Sequence, residues 1–385
     1  MPTCHSELPL HGCRIVDLSA VLAGPYCTRI LAGMGADVIK IEPPWGDSNR
    51  GAEPIQDGRS IYFGILNVGK RSVVLDLKTD KDRETLIELI RQADVLIENF
   101  RPGVMARLGL DYASVKQLNP AIVYCSISGY GQDSAKRDRP STAQIIHAGV
   151  GYDSAFVSYQ PDNRPPPATG LYVADALAGS MAVSGILGAL RISERTGIGR
   201  QVDIALDESL LSMLIYEVAS AQYTPDFVRK GYRPARTKDG YVMAVETNER
   251  TFAGICNTIE RPELAQDERF NTKAKRWRND TALHQLIEEW TTQRSSEECE
   301  DLFQRNGVPA SRYGTVKEYI QDPFLQERKT LIEARDQDIS FLSTGVPFKI
   351  RDDAGALYEK TDDMSVPGLG EHTDEVISEL LQPLK

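Results

Sequence analysis

The clearest candidate for covalent chemistry is Asp175, which stands at the start of an apolar segment rich in small residues. Leu177, Met181 and Ile186 recur in that segment at near-helical spacing, which predicts a buried helix. Because glycine is costly inside a helix, the three glycines between residues 176 and 190 predict that another helix, another subunit or a ligand comes very close. Two roles are open to Asp175: a helix N-cap, or a carboxylate nucleophile that attacks an acyl group.

A second group of candidates lies in the loops that follow the predicted strands. These loops carry small residues, an amide, an aromatic ring and basic side chains, over residues 19–25, Lys78, 98–103 and 128–131. Ligands of parallel α/β sheets collect beyond the carboxyl ends of the strands, so we expect these loops at one edge. Their chemistry would suit a ligand that carries a nucleotide.

The elements that must position these residues alternate along the first half of the chain. Short β-branched runs separated by helical patterns indicate βαβ units, and hence a mostly parallel sheet with helices on both faces. The predicted strands are Arg14–Leu18, Asp37–Glu42, Ser72–Leu77, Asp94–Ile97 and Ala121–Ser126, and the predicted helices run from Gly24 towards Gly33 and from about Lys81 to Gln92.

The predicted fold class is α/β, with a Rossmann-like large domain and a smaller α+β domain. The expected boundaries are 1–221 for the large domain, 222–327 for the small domain and 328–385 for a C-terminal segment. In that segment, 345–350 is predicted as a strand and Thr373 as the cap of a last helix. The predictions for the middle of the chain are a helix over Asp207–Ala221, a hairpin-like piece at Lys238–Val245, and amphipathic helices at Thr281–Thr291 and Glu297–Gln304.

Composition limits the partners. The chain has 385 residues, 41% hydrophobic and 26% charged, which is typical of a soluble globular protein. Its net charge of −11 argues against nucleic acid as a partner, and no apolar run approaches the roughly 20 residues that cross a bilayer. The N-terminus lacks the pattern of a signal peptide. The six cysteines form no CxxC pair and the five histidines have no ligand spacing, so we expect reduced thiols, a cytoplasmic location and no metal.

The chain lacks the sequence motifs of several enzyme classes. No glycine triplet has the dinucleotide-binding spacing, and the pair Gly33 and Gly35 is expected to end a helix. There is no Walker sequence and no Gly-x-Ser-x-Gly elbow. Hydride transfer, phosphoryl transfer and serine-dependent hydrolysis are therefore disfavoured.

Segments along nearly the whole chain are similar to those of a known family. They include DLSAVLAGPYCTRILAGMGADVIKIEPP, GKRSVVLDLK, ADVLIENFRPGVMARLGLDY, LNPAIVYCSISGYGQ, VADALAGSMAVSGILGALRISERTGIGRQVD and PGLGEHTDEV. The chain resembles class III CoA-transferases, the CaiB/BaiF family, which includes formyl-CoA transferase and alpha-methylacyl-CoA racemase. The resemblance implies a large domain completed by the returning C-terminal segment, and a homodimer whose chains are interlocked like linked rings.

The resemblance also implies a site at the interface of subunits and domains, with coenzyme A as a substrate. It places the family's nucleophilic aspartate on Asp175. Phe100 would flank the adenine, and basic side chains would hold the phosphates. One departure is Pro43, where formyl-CoA transferase has an arginine, so one phosphate contact is missing or comes from elsewhere. The implied CoA-contacting positions are Leu22, Ala23, Leu75, Lys78, Asn99, Phe100, Arg101, Arg107 and Thr142.

Three functions stay open at this point. Racemases of the family carry a histidine in the segment that corresponds to residues 139–143 and a glutamate near position 248. This chain has Thr142 and Asn248 there, and neither side chain can exchange an α-proton near neutral pH. The sequence therefore favours CoA transfer over a 2-methylacyl-CoA racemase. A GGGG loop is absent between residues 222 and 260, which favours small dicarboxylates, for example with succinyl-CoA as donor, over formate or oxalate. A catalytically silent protein that binds CoA esters is the third.

Overall fold

A computed structural model describes residues 8–160, 164–223, 231–353, 360 and 364–380. The chain divides into two compact units. The large unit contains the residues up to 155, 165–219 and those from 323 onwards, and the small unit contains 156–164 and 220–322. The predicted thiol Cys4 lies outside the described residues, and the other five cysteines are free thiols.

The secondary structure alternates between strand and helix through the first half of the chain. In chain order the strands are β1 (Arg14–Asp17), β2 (Asp37–Glu42), β3 (Ile55–Gln56), β4 (Arg59–Ser60), β5 (Arg71–Val74), β6 (Val95–Glu98), β7 (Val123–Ser128), β8 (Gln201–Ala205), β9 (Ala235–Arg236), β10 (Tyr241–Ala244), β11 (Ala310–Arg312), β12 (Leu331–Asp336) and β13 (Ile339–Thr344). The helices are α1 (Ala23–Gly33), α2 (Ile61–Asn67), α3 (Asp80–Arg91), α4 (Val104–Arg107), α5 (Tyr112–Leu118), α6 (Ala143–Val150), α7 (Tyr152–Ser158), α8 (Val173–Thr196), α9 (Leu206–Met213), α10 (Ile215–Gln222), α11 (Glu249–Thr258), α12 (Lys273–Arg278), α13 (Asp280–Thr291), α14 (Ser296–Arg305), α15 (Val316–Tyr319), α16 (Pro323–Glu327) and α17 (Thr373–Leu380).

Six strands of the large unit form a parallel sheet in the order β5-β2-β1-β6-β7-β8. Within it β1 pairs with β2 on one side and β6 on the other, so that Ile15 lies opposite Val38 and Val95. All four residues of β6 are buried, as expected for a parallel strand covered on both faces. The predicted α/β fold is therefore confirmed.

Successive strand residues face opposite sides of the sheet, and each side has its own core. Ile15 belongs to the cluster that includes residues of α1, α6, α8 and α9. Val16 belongs to the cluster formed with α3, α5 and α17. Because the chain moves from β1 towards β5 and then returns to β6, the strand order reverses between β1 and β6, and such a switch point is where open α/β sheets bind ligands.

Close packing explains two of the three glycines in α8. A Cβ on Gly179 would lie 2.6 Å from the carbonyl oxygen of Ala23 in α1, and a Cβ on Gly185 would lie 2.6 Å from Cγ1 of Val202 in β8. The close neighbours at these two positions are thus a helix and a strand of the same unit. A Cβ on Gly188 would meet no heavy atom within 4 Å.

The helix α8 also corrects one expectation. With 24 residues it is long and apolar enough to span a bilayer, the one such helix among the described residues. Its contacts with α1, α9 and the sheet make it a partly buried core helix.

Two other predictions differ from the structure. Residues 345–350 form no strand, because β12 and β13 pair from Leu331 opposite Thr344 to Asp336 opposite Ile339, and the ladder ends there. The helix predicted over Asp207–Ala221 is interrupted at Leu214, between α9 and α10.

The C-terminal helix lies against the edge strand of the sheet. Arg71 of β5 contacts Glu379 of α17 at 2.6 Å, and the backbone N–H of His372 donates to the carbonyl oxygen of Ser72. The hydroxyl of Thr373, the predicted cap, accepts from the backbone N–H of Val74. The helix α17 therefore packs beside β5.

The small unit has its own sheet and core. Its strands pair antiparallel in the order β11-β10-β9. Of the hairpin predicted at Lys238–Val245, only β10 lies inside that range, and its partner β9 precedes it. The helices bury an apolar cluster that includes Phe252, Phe270 and Phe303.

Candidate active site

A cavity of about 640 Å³ opens in the large unit beyond the carboxyl ends of β1, β6 and β7. The first residues of α1, α6 and α8 also line it. The cavity thus lies at the switch point of the sheet, where backbone N–H groups of helix starts and residues of strand-end loops meet. The lining residues are Val21, Leu22, Ala23, Asn49, Ala52, Glu53, Tyr62, Asn99, Ile127, Ser128, Gly129, Ser141, Thr142, Ala143, Gln144, Tyr172, Asp175 and Leu206.

Asp175 lies in the first turn of α8 and faces this cavity. The N-cap position belongs to Tyr172, which makes no side-chain cap hydrogen bond, so of the two roles left open for Asp175 the N-cap role does not hold. Burial raises the pKa of Asp175 to about 6, against the opposing effect of a hydrogen bond from its own backbone N–H. The carboxylate is therefore largely ionised at neutral pH and poorly solvated, which suits a nucleophile.

The loop after β1 forms one wall and is held in a strained conformation. Val21 has a φ of 69°, which is rare for a β-branched residue. The side chain of Asn99 binds both backbone groups of Ala20, accepting from its N–H at 2.9 Å and donating to its carbonyl oxygen at 2.8 Å. Asn49 donates to the carbonyl oxygen of Val21 at 2.5 Å. Such strain persists where the surroundings impose it, commonly at functional sites.

Buried charges lie beneath this loop. Lys40 donates to the carbonyl oxygen of Ser19 at 2.9 Å and pairs with Asp47 at 3.0 Å. Lys70 pairs with Asp17 at 3.2 Å, and both side chains are fully buried. Burial lowers the pKa of Lys70 to about 8, although Asp17 opposes the shift. Removing one member of such a pair costs about 3–5 kcal/mol, so this layer fixes the base of the loop.

The loop after β7 contributes a hydroxyl and a close backbone approach. Ser128 is 7% exposed, and its hydroxyl oxygen has no hydrogen-bond partner among the described residues. A Cβ on Gly129 would lie 1.9 Å from Oγ of Ser141, so only glycine lets the end of β7 lie against the start of α6. Ser128 belongs to one of the candidate strand-end loops of the sequence, but its hydroxyl had no predicted role of its own, because a lone serine after a strand carries no distinguishing signal.

The structure brings together five of the ten predicted site residues. Asp175, Leu22, Ala23, Asn99 and Thr142 all line the cavity. The side chain of Asn99, predicted to contact CoA, has hydrogen bonds to Ala20 and thereby positions the loop.

The other five predicted residues lie outside the cavity lining. Leu75 is buried in the core, and Phe100 packs half-buried against the same cluster. Lys78, Arg101 and Arg107 are exposed after β5 and β6. They are accessible to a polyanion near the carboxyl edge of the sheet.

The Pro43 position has structural neighbours that bear on phosphate binding. Arg50 is engaged by Glu42 at 2.6 Å, so it is already paired. Trp45, in the turn after β2, is 71% exposed, and the ammonium of Lys78 lies 5.5 Å from its ring centroid. This pair was not anticipated from the sequence, because the two residues come together only through the pairing of β2 with β5.

The two positions relevant to racemisation have other surroundings. Thr142 is the exposed N-cap residue of α6, without a side-chain cap hydrogen bond. Asn248 is the N-cap of α11 in the small unit and forms a capping box with Thr251. Within the described ranges, no group of three or more His, Cys, Asp or Glu side chains is arranged to hold a metal ion.

Comparison with known proteins identifies relatives over nearly the whole chain. Residues 10–373 match the profile of CoA-transferase family III. The chain is 32% identical to succinyl-CoA–D-citramalate CoA-transferase of Chloroflexus aurantiacus, covering 97% of this chain and 94% of that one. It is 33% identical to succinate–glutarate CoA-transferase of Agrobacterium fabrum, covering 97% and 96%. The crystal structure of a CaiB/BaiF family protein from Brucella suis matches with a TM-score of 0.83 and 32% identity, covering 97% and 99%.

Proposed function

The chain belongs to CoA-transferase family III, and from this premise we propose that it moves CoA from a small acyl-CoA to a free carboxylate through covalent intermediates on Asp175. The observation that carries the proposal is the position of Asp175: a poorly solvated carboxylate, with its pKa raised to about 6, in a cavity at the switch point of the sheet. A carboxylate in that setting is a nucleophile for a thioester carbonyl.

In the proposed reaction, an oxygen of Asp175 attacks the donor thioester carbon. The C–S bond breaks, giving a mixed anhydride and CoA thiolate. The thiolate attacks the side-chain carbonyl of Asp175, which releases the donor acid and leaves an aspartyl-CoA thioester. The acceptor carboxylate then attacks that carbonyl and expels CoA thiolate, which gives a second mixed anhydride. The thiolate attacks the acceptor's carbonyl in this anhydride, which forms the new acyl-CoA and regenerates the carboxylate of Asp175.

Neutral donors around the cavity support the oxyanions of these steps. The N–H of Ala174, at the start of α8, is already bound by a side chain, so it is not available. Ser128, and Ala143 and Gln144 in the first turn of α6, line the cavity, and their hydroxyl and N–H groups are the proposed donors. Donors of this kind stabilise developing negative charge when they are held in place beforehand.

The CoA moiety is proposed to run from this cavity along the carboxyl edge of the sheet. Lys78, Arg101 and Arg107 would contact phosphates, and Phe100 would flank the adenine. Trp45 beside Lys78 offers a further aromatic surface near the place where Pro43 removes an arginine.

The proposed substrates are small dicarboxylic acids, with succinyl-CoA as donor. The two relatives named above act on succinyl-CoA and D-citramalate, and on succinate and glutarate. Succinate, malate, mesaconate and glutarate are the acids to examine first. Acyl selectivity is decided by the shape of the cavity around Asp175.

The proposed assembly is an interlocked homodimer in a cytoplasmic location, without a nucleic-acid or membrane partner and without a metal. The match to a CaiB/BaiF structure supports the family fold, and it is the family resemblance that implies the dimer.

The test is a panel of acyl-CoA donors and free acids, with CoA exchange followed by mass spectrometry. We expect transfer between dicarboxylates that is lost in Asp175→Asn. Rapid uptake of deuterium from heavy water at the α-carbon of a 2-methylacyl-CoA, lost in Asp175→Ala, would instead favour racemisation. Binding of acyl-CoA without either reaction would indicate a silent CoA-ester binding protein.

A further inference from the structure

A fully buried histidine touches the start of the helix that bears Asp175. His147 lies in α6 and has no exposed surface. Its Nε2 accepts a hydrogen bond from the backbone N–H of Ala174 at 3.1 Å. Ala174 immediately precedes Asp175, so this bond is made one residue before the carboxylate.

The hydrogen bond defines the form of the imidazole. A ring nitrogen that accepts from an N–H carries no proton, so His147 is neutral and its proton is on Nδ1. That Nδ1 is buried and has no hydrogen-bond partner among the described residues. The ring packs against Tyr152, with centroids 5.1 Å apart. Burying a polar atom without a partner costs about 1–3 kcal/mol, so this ring carries a local penalty.

The start of α8 lacks the usual local cap. The first N–H groups of a helix have no partner within the helix, and a Ser, Thr, Asp or Asn at the N-cap normally accepts from one. Here Tyr172 occupies that position without a side-chain cap bond, and His147 supplies the acceptor from a different helix.

The same histidine joins two walls of the cavity. The first residues of α6, including Thr142 and Gln144, line the cavity, and so does Asp175 of α8. The bond from His147, in the last turn of α6, to the backbone of Ala174 ties α6 to the start of α8 beside the carboxylate.

We propose that His147 is a positioning residue, which holds the first turn of α8 so that Asp175 meets the acyl carbon in the correct orientation. This inference rests on the proposed role of Asp175 as nucleophile. His147 does not exchange a proton with substrate, and its role is confined to accepting from Ala174.

Two variants separate this role from general packing. In His147→Gln the side-chain amide oxygen can reach the place of Nε2 and accept the same hydrogen bond. In His147→Leu the volume is similar and the acceptor is lost. His284→Gln, at a histidine of the small unit, is the control for the substitution itself.

The measurements are the rate at which Asp175 becomes acylated in a single turnover, the dissociation constant for CoA, and the thermal midpoint. We expect His147→Leu to lower the acylation rate by about ten-fold to a hundred-fold, since misplacement of about 1 Å has effects of that size. CoA binding should stay within about two-fold, because the exposed basic residues proposed for CoA lie after other strands. His147→Gln should restore most of the rate.

Acylation at the wild-type rate in a folded His147→Leu would overturn the inference, as would a Gln variant as slow as the Leu variant. If His147→Leu does not fold, His147→Ala incubated with imidazole and with pyrrole replaces it. Imidazole, which has an acceptor nitrogen, should restore the rate, and pyrrole, which lacks one, should not; equal effects would contradict the role. If the wild type forms no adduct at Asp175, it is the proposed function that fails.

Discussion

At the scale of single residues, burial controls the acidity of Asp175. Its pKa is raised to about 6 mainly by desolvation. Only the ionised carboxylate can attack, so we expect the single-turnover acylation rate to fall as the pH drops below about 6, by ten-fold for each further unit. Stopped-flow or quench-flow measurements between pH 4.5 and 8, at saturating acyl-CoA, would show this. An apparent pKa near 4 would contradict the burial of the group.

The same shift predicts that Asp175→Asn stabilises the fold at neutral pH. A carboxyl with a raised pKa binds its proton more tightly in the folded state, so stability falls as the pH rises from 3.8 to about 6. Above about pH 6 the full cost of burying the ionised carboxylate is present, and the uncharged amide of Asn avoids that cost. We expect a gain of about 1–3 kcal/mol at pH 7.5 in urea unfolding, shrinking towards zero near pH 4. A variant less stable than wild type at pH 7.5 would show that the carboxylate has compensating partners.

At the scale of elements, the close contact of α8 with α1 sets the position of the active-site helix. A Cβ on Gly179 would meet the backbone oxygen of Ala23, which cannot move aside without shifting α1. We expect Gly179→Ala to destabilise the protein by about 1–3 kcal/mol and to lower activity.

The matched control lies on the same helix. Gly188 is exposed with open space around it, so Gly188→Ala should leave activity unchanged and raise stability by up to about 1 kcal/mol. Thermal unfolding of both variants checks the pair. Equal effects of the two substitutions would mean that helix propensity, and not the contact with Ala23, decides the outcome.

The sequence predicted elements well where periodicity and local signals agree, as for β2, which has the predicted bounds Asp37–Glu42. The sequence-based predictions were wrong where contacts between distant parts of the chain determine the structure. Residues 345–350 are apolar enough for a strand, but the hairpin of β12 and β13 ends at Thr344. Asp175 is a residue type that commonly occupies N-cap positions, but the helix begins two residues earlier. The N–H of Ala174 in its first turn donates to His147 instead. A contact between α6 and α8 leaves no signature in local sequence.

The residues of the candidate site also fall into those that the sequence could predict and those that it could not. Asp175, Leu22 and Thr142 could be assigned from motifs, and they line one cavity. The hydroxyl of Ser128, unpartnered among the described residues, and the contact of Trp45 with Lys78 could not be predicted, because their surroundings are set by strand order.

At the scale of the whole molecule, apolar side chains on the outside of α8 and α9 bear on assembly. Met181 and Ile192 of α8 are each 41% exposed, and Leu211 and Met213 of α9 are 46% and 45% exposed. Exposed large apolar side chains are common where proteins contact one another. We expect a homodimer that persists on dilution, because interlocked chains must unfold in part to separate. A stable folded monomer in sedimentation at nanomolar concentration would contradict the interlocked arrangement.

The most direct measurement is to identify the residue that carries the acyl group. Wild-type protein is mixed with succinyl-CoA and quenched with hydroxylamine, which converts an activated aspartyl carbonyl to a hydroxamate, and the peptide that spans residues 165–191 is sequenced by mass spectrometry. We predict a hydroxamate on Asp175 that depends on donor acyl-CoA, is absent from Asp175→Asn and disappears when excess acceptor acid is added before the quench. Transfer activity with no modification of Asp175, or full activity in Asp175→Asn, would contradict the role of Asp175 as nucleophile.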